Sequence, residues 1–150
     1  MRQKVRDRFD RELKRVMRRL PPKVRYVLKE IPLIVEDYPS RHVMREQGIK
    51  DPAELCGLYD GPPEAASGLA VAETIALFGS AASGLCDGGG GFRSPTIWLY
   101  RRGLIELSRN LDTGRVRTDL LRKEIRTTIM HEVGHCFGLS EDDLEQRGYG

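Results

Sequence analysis

The spacing of apolar residues predicts two helices at the start of the chain. Between residues 2 and 20 the apolar positions recur at helical steps, so they form one stripe with Arg and Lys around it: Val5, Phe9, Leu13, Val16, Met17 and Leu20. Two prolines at 21–22 end this helix, since proline cannot donate to the helical ladder. A second helix is predicted over residues 23–30.

The C-terminal third also has helical spacing. A long helix is predicted from Leu120 onward, with residue 118 or 119 (Thr or Asp) as its N-cap. A last short helix is predicted over residues 141–146, because Ser140 and Asp143 have the spacing of a capping pair. The chain therefore ends in a helix, a turn and a second helix.

Short apolar runs between these helices predict strands. The strongest run is Thr96–Tyr100, which is rich in β-branched and aromatic residues, and weaker runs lie at 33–35 and 55–59. A short helix is predicted over 104–111, and residues 40–54 are predicted to be loop with one helical turn.

Residues 64–94 differ in composition from the rest of the chain. Ala, Gly and Ser dominate there, and residues 88–91 are four consecutive glycines. Such a stretch is typical of a hinge or a long loop, so we interpret it as an insertion or a lid, with a helix over 69–78. No Gly-Lys-Ser/Thr follows the glycines, which excludes a phosphate-binding loop.

Length and composition favour one globular domain spanning residues 1–150. No stretch has the length and apolarity of a membrane span, and the charged N-terminal residues do not resemble a signal peptide. Three widely separated cysteines argue against a disulfide framework, so we expect a cytoplasmic protein without a membrane partner.

The charge is unevenly distributed. Residues 1–30 carry twelve Lys and Arg against four Asp and Glu, whereas the other 120 residues carry thirteen against eighteen. A basic helical arm at residues 1–20 raises the alternative of nucleic-acid binding or processing. The same cations would also lie on the solvated face of an amphipathic helix, and no aromatic stacking platform is interleaved with them, so this alternative is not favoured.

Residues 131–135 read His-Glu-Val-Gly-His and are the most informative motif. On a helix, His131 and His135 share one face about 5–6 Å apart, a spacing that suits two ligands of a tetrahedral Zn²⁺. Glu132 is rotated about 100° from His131 and can serve as a general base without binding the metal. The competing interpretation is a surface helix with two incidental histidines.

A catalytic zinc also needs a third protein ligand. His42 is far upstream and is not favoured. Gly138 can turn the chain after the helix, which brings Glu141 into range ten residues after His131. Its neighbours Asp142 and Asp143 remain alternatives, as does a solvated acidic helix start.

The segment from Glu124 to Glu145 resembles the active site of the small bacterial zincin-like metallopeptidases, or minimal zincins, with the pattern HExxHxxGxx[D/E]. Similar pieces lie at 20–40, 55–63 and 96–102. The resemblance implies a compact α+β domain in which a small mixed sheet packs on the HExxH helix; the basic amphipathic helix at the start of the chain is predicted from its apolar spacing instead. It implies His131, His135 and Glu141 as metal ligands and Glu132 as the catalytic glutamate.

Some features depart from this family. Residues 64–94 look like an insertion, and the basic helix before Arg18 lies outside the resemblance. No methionine follows the motif, so a Met-turn has no candidate. Glu141 stands where Asp is more usual, and its extra methylene changes the geometry at the third ligand.

The favoured function is a zinc metallopeptidase that cleaves a peptide or protein substrate. One Zn²⁺ per chain would activate water and Glu132 would accept its proton. Strand 96–100 has two interpretations. As a sheet edge at the cleft it would hold the substrate, with Trp98 and Tyr100 as candidate substrate-binding residues. The alternative is an ordinary buried strand. Tyr149 is a weaker candidate for stabilising the oxyanion. A non-catalytic, metal-stabilised interaction module is the other alternative, and we expect a monomer or weak oligomer.

Overall fold

The computed structural model describes residues 1–61 and 95–149. The predicted insertion or lid at 64–94, with its predicted helix at 69–78, therefore lies outside the described residues. The elements, in chain order, are α1 (Gln3–Arg19), α2 (Pro22–Glu30), β1 (Leu33–Glu36), α3 (Arg41–Glu46), β2 (Gly57–Asp60), β3 (Thr96–Tyr100), α4 (Arg101–Leu107), α5 (Thr118–Cys136) and α6 (Glu141–Gln146).

Helix α1 packs against α5 along its apolar stripe. Phe9 and Val16 are buried on this stripe, which confirms the predicted amphipathic helix. Glu12 is buried between them, only 3% exposed, because its carboxylate meets Arg122 of α5 at 2.6 Å and Arg15 at 3.1 Å. The ion pair keeps a charge on the buried face and links the basic helix to α5.

Three strands of the described residues form one mixed sheet in the order β1-β3-β2. β1 is parallel to β3, with Leu33 opposite Ile97, and β2 is antiparallel to β3, with Leu58 opposite Trp98. The α+β fold with a small mixed sheet is thus confirmed. Of the two alternatives for strand 96–100, the sheet edge is wrong and the ordinary interior strand is correct, because β3 lies between the other two strands.

Local signals explain where several elements begin and end. Ser140 and Asp143 form the predicted capping box of α6. The N-cap of α5 is Arg117 rather than residue 118 or 119, because Thr118 is already helical and its hydroxyl accepts a hydrogen bond from Arg8. α4 starts three residues earlier than predicted, directly after β3, and ends at 107.

The core lies between the sheet and the helices. The buried apolar face of α5 packs on the sheet and on α1, and it includes Leu121, Ile125, Ile129 and Val133. Burying such side chains contributes about 1.5–3 kcal/mol each. No described helix combines the length and apolarity needed to cross a bilayer. The core therefore fixes α5 in position, and the histidine motif lies at its C-terminal end.

Candidate metal centre

His131 and His135 lie one turn apart on α5, and their rings converge. The two Nε2 atoms are 3.0 Å apart, and the ring planes are nearly perpendicular at 82°. Both side chains are largely buried, with 20% and 24% of their surface exposed. The helical spacing therefore directs two imidazole nitrogens to one point.

The other nitrogen of each ring fixes its orientation. Nδ1 of His131 lies 2.7 Å from the carbonyl oxygen of Tyr149, and Nδ1 of His135 lies 3.0 Å from that of Leu139. A carbonyl oxygen can only accept, so each Nδ1 carries the proton and donates it. In the neutral rings both Nε2 atoms then present lone pairs, which is the arrangement of metal-binding histidines.

A tight turn brings a carboxylate to the same point. Gly138 follows α5 with φ 75°, and its N–H donates to the carbonyl of His135 at 2.9 Å. Leu139 donates to Gly134 at 3.2 Å, which completes a Schellman motif. The chain then enters α6 at Glu141.

Glu141 meets both histidine rings. Its two carboxylate oxygens lie 3.3 Å from Nε2 of His131 and 3.1 Å from Nε2 of His135. Asp143, by contrast, is hydrogen-bonded to Ser140 in the capping box. Of the acidic residues considered from the sequence, the structure brings Glu141 to the histidines.

The donor set fits a cation. Two imidazole lone pairs and a carboxylate face one another within 4.8 Å, and no other such group is found within 1–61 and 95–149. These negative ends repel unless a positive charge lies between them. Tetrahedral zinc with Zn–N near 2.0–2.1 Å places its ligand atoms about 3.3 Å apart, close to the observed separations. Two histidines and a glutamate are also a known catalytic zinc set.

Glu132 lies beside these ligands in a different environment. It is 6% exposed, and its carboxylate accepts a hydrogen bond from the backbone N–H of Tyr59 in β2. Burial raises the pKa of Glu132 to about 8; the Tyr59 N–H opposes this rise, and the charge of Glu141 adds to it. A carboxyl group with a pKa near neutrality is suited to exchanging protons.

β2 approaches Glu132 closely because residue 57 is glycine. A Cβ built on Gly57 would lie 2.6 Å from Oε1 of Glu132 and 2.5 Å from Cγ2 of Thr128. Any side chain there would push β2 away from α5. Neither Gly57 nor Tyr59 was identified from the sequence, since no local motif marks a contact between elements so far apart.

An open cleft of about 420 Å³ lies over these groups. Its walls come from β2, α5 and the turn before α6, and include Leu55, Gly57, Leu58, Tyr59, Gly61 and Leu139. Trp98 and Tyr100 do not line it; Tyr100 is 1% exposed within the fold. Their assignment to substrate binding stays a prediction.

His42 is exposed and pairs with Glu46 at 3.2 Å.

Arginines of the basic helix α1 make several contacts within the chain. Arg6 pairs with Asp37, Arg8 donates to Thr118 and Arg15 pairs with Glu12. These contacts assign a structural role to part of the basic charge. The alternative of nucleic-acid binding gains no support from them.

The sequence profile of the zincin-like metallopeptidase family matches residues 28–90 and 79–150. The second match contains the histidine motif, Gly138 and Glu141. No curated protein matches the chain.

Proposed function

Because the chain belongs to the zincin-like metallopeptidase family, we propose that it is a zinc-dependent peptidase. His131, His135 and Glu141 would hold one Zn²⁺, and Glu132 would be the general base. The observation that carries this proposal is the convergence of two Nε2 atoms and a carboxylate at 3.0–3.3 Å.

Contacts within the chain orient the proposed ligands. The carbonyls of Tyr149 and Leu139 orient the two rings, and the Schellman turn presents Glu141. When bound, Zn²⁺ would supply a Lewis acid that acidifies water and polarises a peptide carbonyl. Such preorganised ligands lose little conformational freedom when the metal enters.

Glu132 is the proton carrier in this proposal. Its carboxylate would take a proton from the attacking water and deliver it to the nitrogen of the leaving amine. The Tyr59 N–H holds one carboxylate oxygen, and the close approach of β2 at Gly57 limits the movement of the side chain. Geometry of this kind matters because a displacement of about 1 Å can reduce a rate about 100-fold.

Substrate would bind along β2. The N–H of Tyr100 donates to Cys56 at 2.9 Å, so the alternation of an antiparallel ladder directs Leu58 toward β3 and the backbone of Gly57 outward, while the outward N–H of Tyr59 is bonded to Glu132. β2 is an edge strand of the described sheet and lines the cleft. These features support an extended peptide added beside β2, rather than beside the central strand β3.

Metal analysis tests the ligand set. The purified protein, loaded with zinc at neutral pH and desalted, should retain about one zinc per chain. His131→Ala and Glu141→Ala should weaken zinc binding at least tenfold in a competition titration with a chelator. His42→Ala and Asp142→Ala are the matched controls and should bind as the parent does. Equal zinc affinity in all five proteins would refute the proposed site.

Hydrolysis tests the chemistry separately. The zinc-loaded protein is incubated with a peptide library, and cleavage products are identified by mass spectrometry. Cleavage should disappear in Glu132→Gln, which should still bind zinc, and on removal of the metal. Zinc binding without any cleavage by the parent would favour the non-catalytic metal module, whereas cleavage that persists in Glu132→Gln would exclude Glu132 as the base.

A further inference from the structure

A second groove lies at the other edge of the sheet from the metal centre. It runs between α1, α2 and β1 and has a volume of about 560 Å³. Its floor is apolar and consists of Leu13, Met17, Leu28, Leu33 and Val35, which are partly buried and pack on the core. Since the sheet order is β1-β3-β2, this groove is separate from the cleft at β2.

β1 offers backbone groups along this groove. The N–H of Ile97 in β3 donates to the carbonyl of Pro32, so parallel pairing directs Ile34 and Glu36 toward β3. The backbones of Leu33 and Val35 therefore point outward, and no described strand pairs with them. Arg101 donates to the carbonyl of Val35 at 3.5 Å. The N–H groups of Leu33 and Val35 and the carbonyl of Leu33 therefore stay available for pairing with another strand.

Two basic side chains line the wall of the groove. Lys14 and Arg18 are one helical turn apart on α1, and both are exposed. In the described residues neither has an acidic partner, whereas Arg6 and Arg15 of the same helix pair with carboxylates. The groove thus combines an apolar floor, an available strand edge and unpaired positive charge.

We propose that this groove binds an extended acidic segment of a partner protein, which adds as a strand to β1. Alternate apolar side chains of that segment would enter the floor, as in other strand additions. Its carboxylates would pair with Lys14 and Arg18. A nucleic acid suits the groove less well, because its phosphates gain nothing from an apolar floor.

A labelled peptide tests this surface directly. The probe is a fluorescein-labelled octapeptide of alternating Glu and Val, titrated with the full chain and followed by fluorescence anisotropy. Charge reversal in the groove, Lys14→Glu with Arg18→Glu, should weaken binding at least tenfold. The matched control reverses two exposed cations of α1 that do not line the groove, Lys4→Glu with Arg19→Glu, and should change binding less than twofold.

Hydrogen exchange tests the strand addition. Bound peptide should slow exchange of the Leu33 and Val35 amides, because both would become donors to the added strand. Binding without this protection, no binding, or equal losses in the groove and control variants would overturn the proposal. Self-association that the Lys14 and Arg18 reversals abolish, without peptide binding, would assign the groove to a second copy of the chain and overturn it also.

Discussion

Glu132 should destabilise the metal-free protein. Its pKa rises from 4.5 to about 8 in the folded chain, chiefly because the carboxylate is buried. Folding at neutral pH must therefore either desolvate a charge or take up a proton. Glu132→Gln keeps the shape and an oxygen that can accept from the Tyr59 N–H, but removes the charge. We expect the metal-free variant to be more stable than the metal-free parent.

The size of this effect follows from linkage. The pKa of Glu132 is higher in the folded chain than in the unfolded chain. Glu132 therefore opposes folding only at pH values at which its carboxyl group is ionised in the unfolded chain. The penalty is absent well below pH 4.5, grows as pH rises from 4.5 to about 8, and is constant above that. At 1.36 kcal/mol per pKa unit, it amounts to about 3 kcal/mol at pH 7 and about 5 kcal/mol above pH 8.

Urea unfolding in the presence of a chelator measures this difference. The free energy of unfolding of Glu132→Gln should exceed that of the parent by about 1 kcal/mol at pH 5 and about 4 kcal/mol at pH 7.5. Glu145→Gln, an exposed glutamate on α6, is the matched control and should change little at either pH. A Glu132→Gln difference that is absent, or that does not widen with pH, would refute the reasoning.

Three further variants test how the site is supported. Gly57→Ala places a methyl group 2.6 Å from Oε1 of Glu132. In urea unfolding the variant should be less stable than the parent by about 1–3 kcal/mol. It should also lose peptide cleavage while it still binds one zinc, and unchanged cleavage would contradict this. Gly103→Ala would place a methyl group against the backbone carbonyl oxygen of Leu55, just before β2; it should lower the thermal midpoint of unfolding, and an unchanged midpoint would argue against that close packing. Glu12→Gln removes the charge paired with Arg122. The cations of Arg122 and Arg15 hold the pKa of Glu12 below its usual range despite its burial, so the variant should be less stable than the parent at pH 7, and the difference should shrink as pH falls through the folded pKa; urea unfolding at neutral and at acidic pH checks this, and a difference that does not depend on pH would contradict it.

Elements with local signals could be predicted from the sequence. The stripe through Phe9 and Val16 predicts α1, the β-rich run at 96–100 predicts β3, and the Ser140–Asp143 spacing predicts the start of α6. Each depends on residues within a few positions of one another, so the pattern and its physical cause are both visible in the sequence. The spacing of His131 and His135, which places them on one helix face, is also a local signal of this kind.

Contacts between distant segments could not be predicted in this way. The sequence shows a strand at 96–100, but its central place in the sheet depends on which strands pair on either side. The sequence makes Tyr149 a candidate through its hydroxyl, whereas in the structure its backbone carbonyl orients His131. A backbone carbonyl has no signature in the sequence, because every residue carries one.

Glu12 and Glu132 show why the missing information is tertiary. Glu12 lies on the apolar stripe of α1, between Phe9 and Val16, so the helical pattern itself indicates a buried carboxylate that needs a partner. The partner, Arg122, is 110 positions away and cannot be read from that pattern. Glu12 receives full cations and its pKa falls, whereas Glu132 receives one backbone N–H and its pKa rises. Two glutamates on buried helix faces thus become a structural ion pair and a candidate base because the fold supplies them with different neighbours.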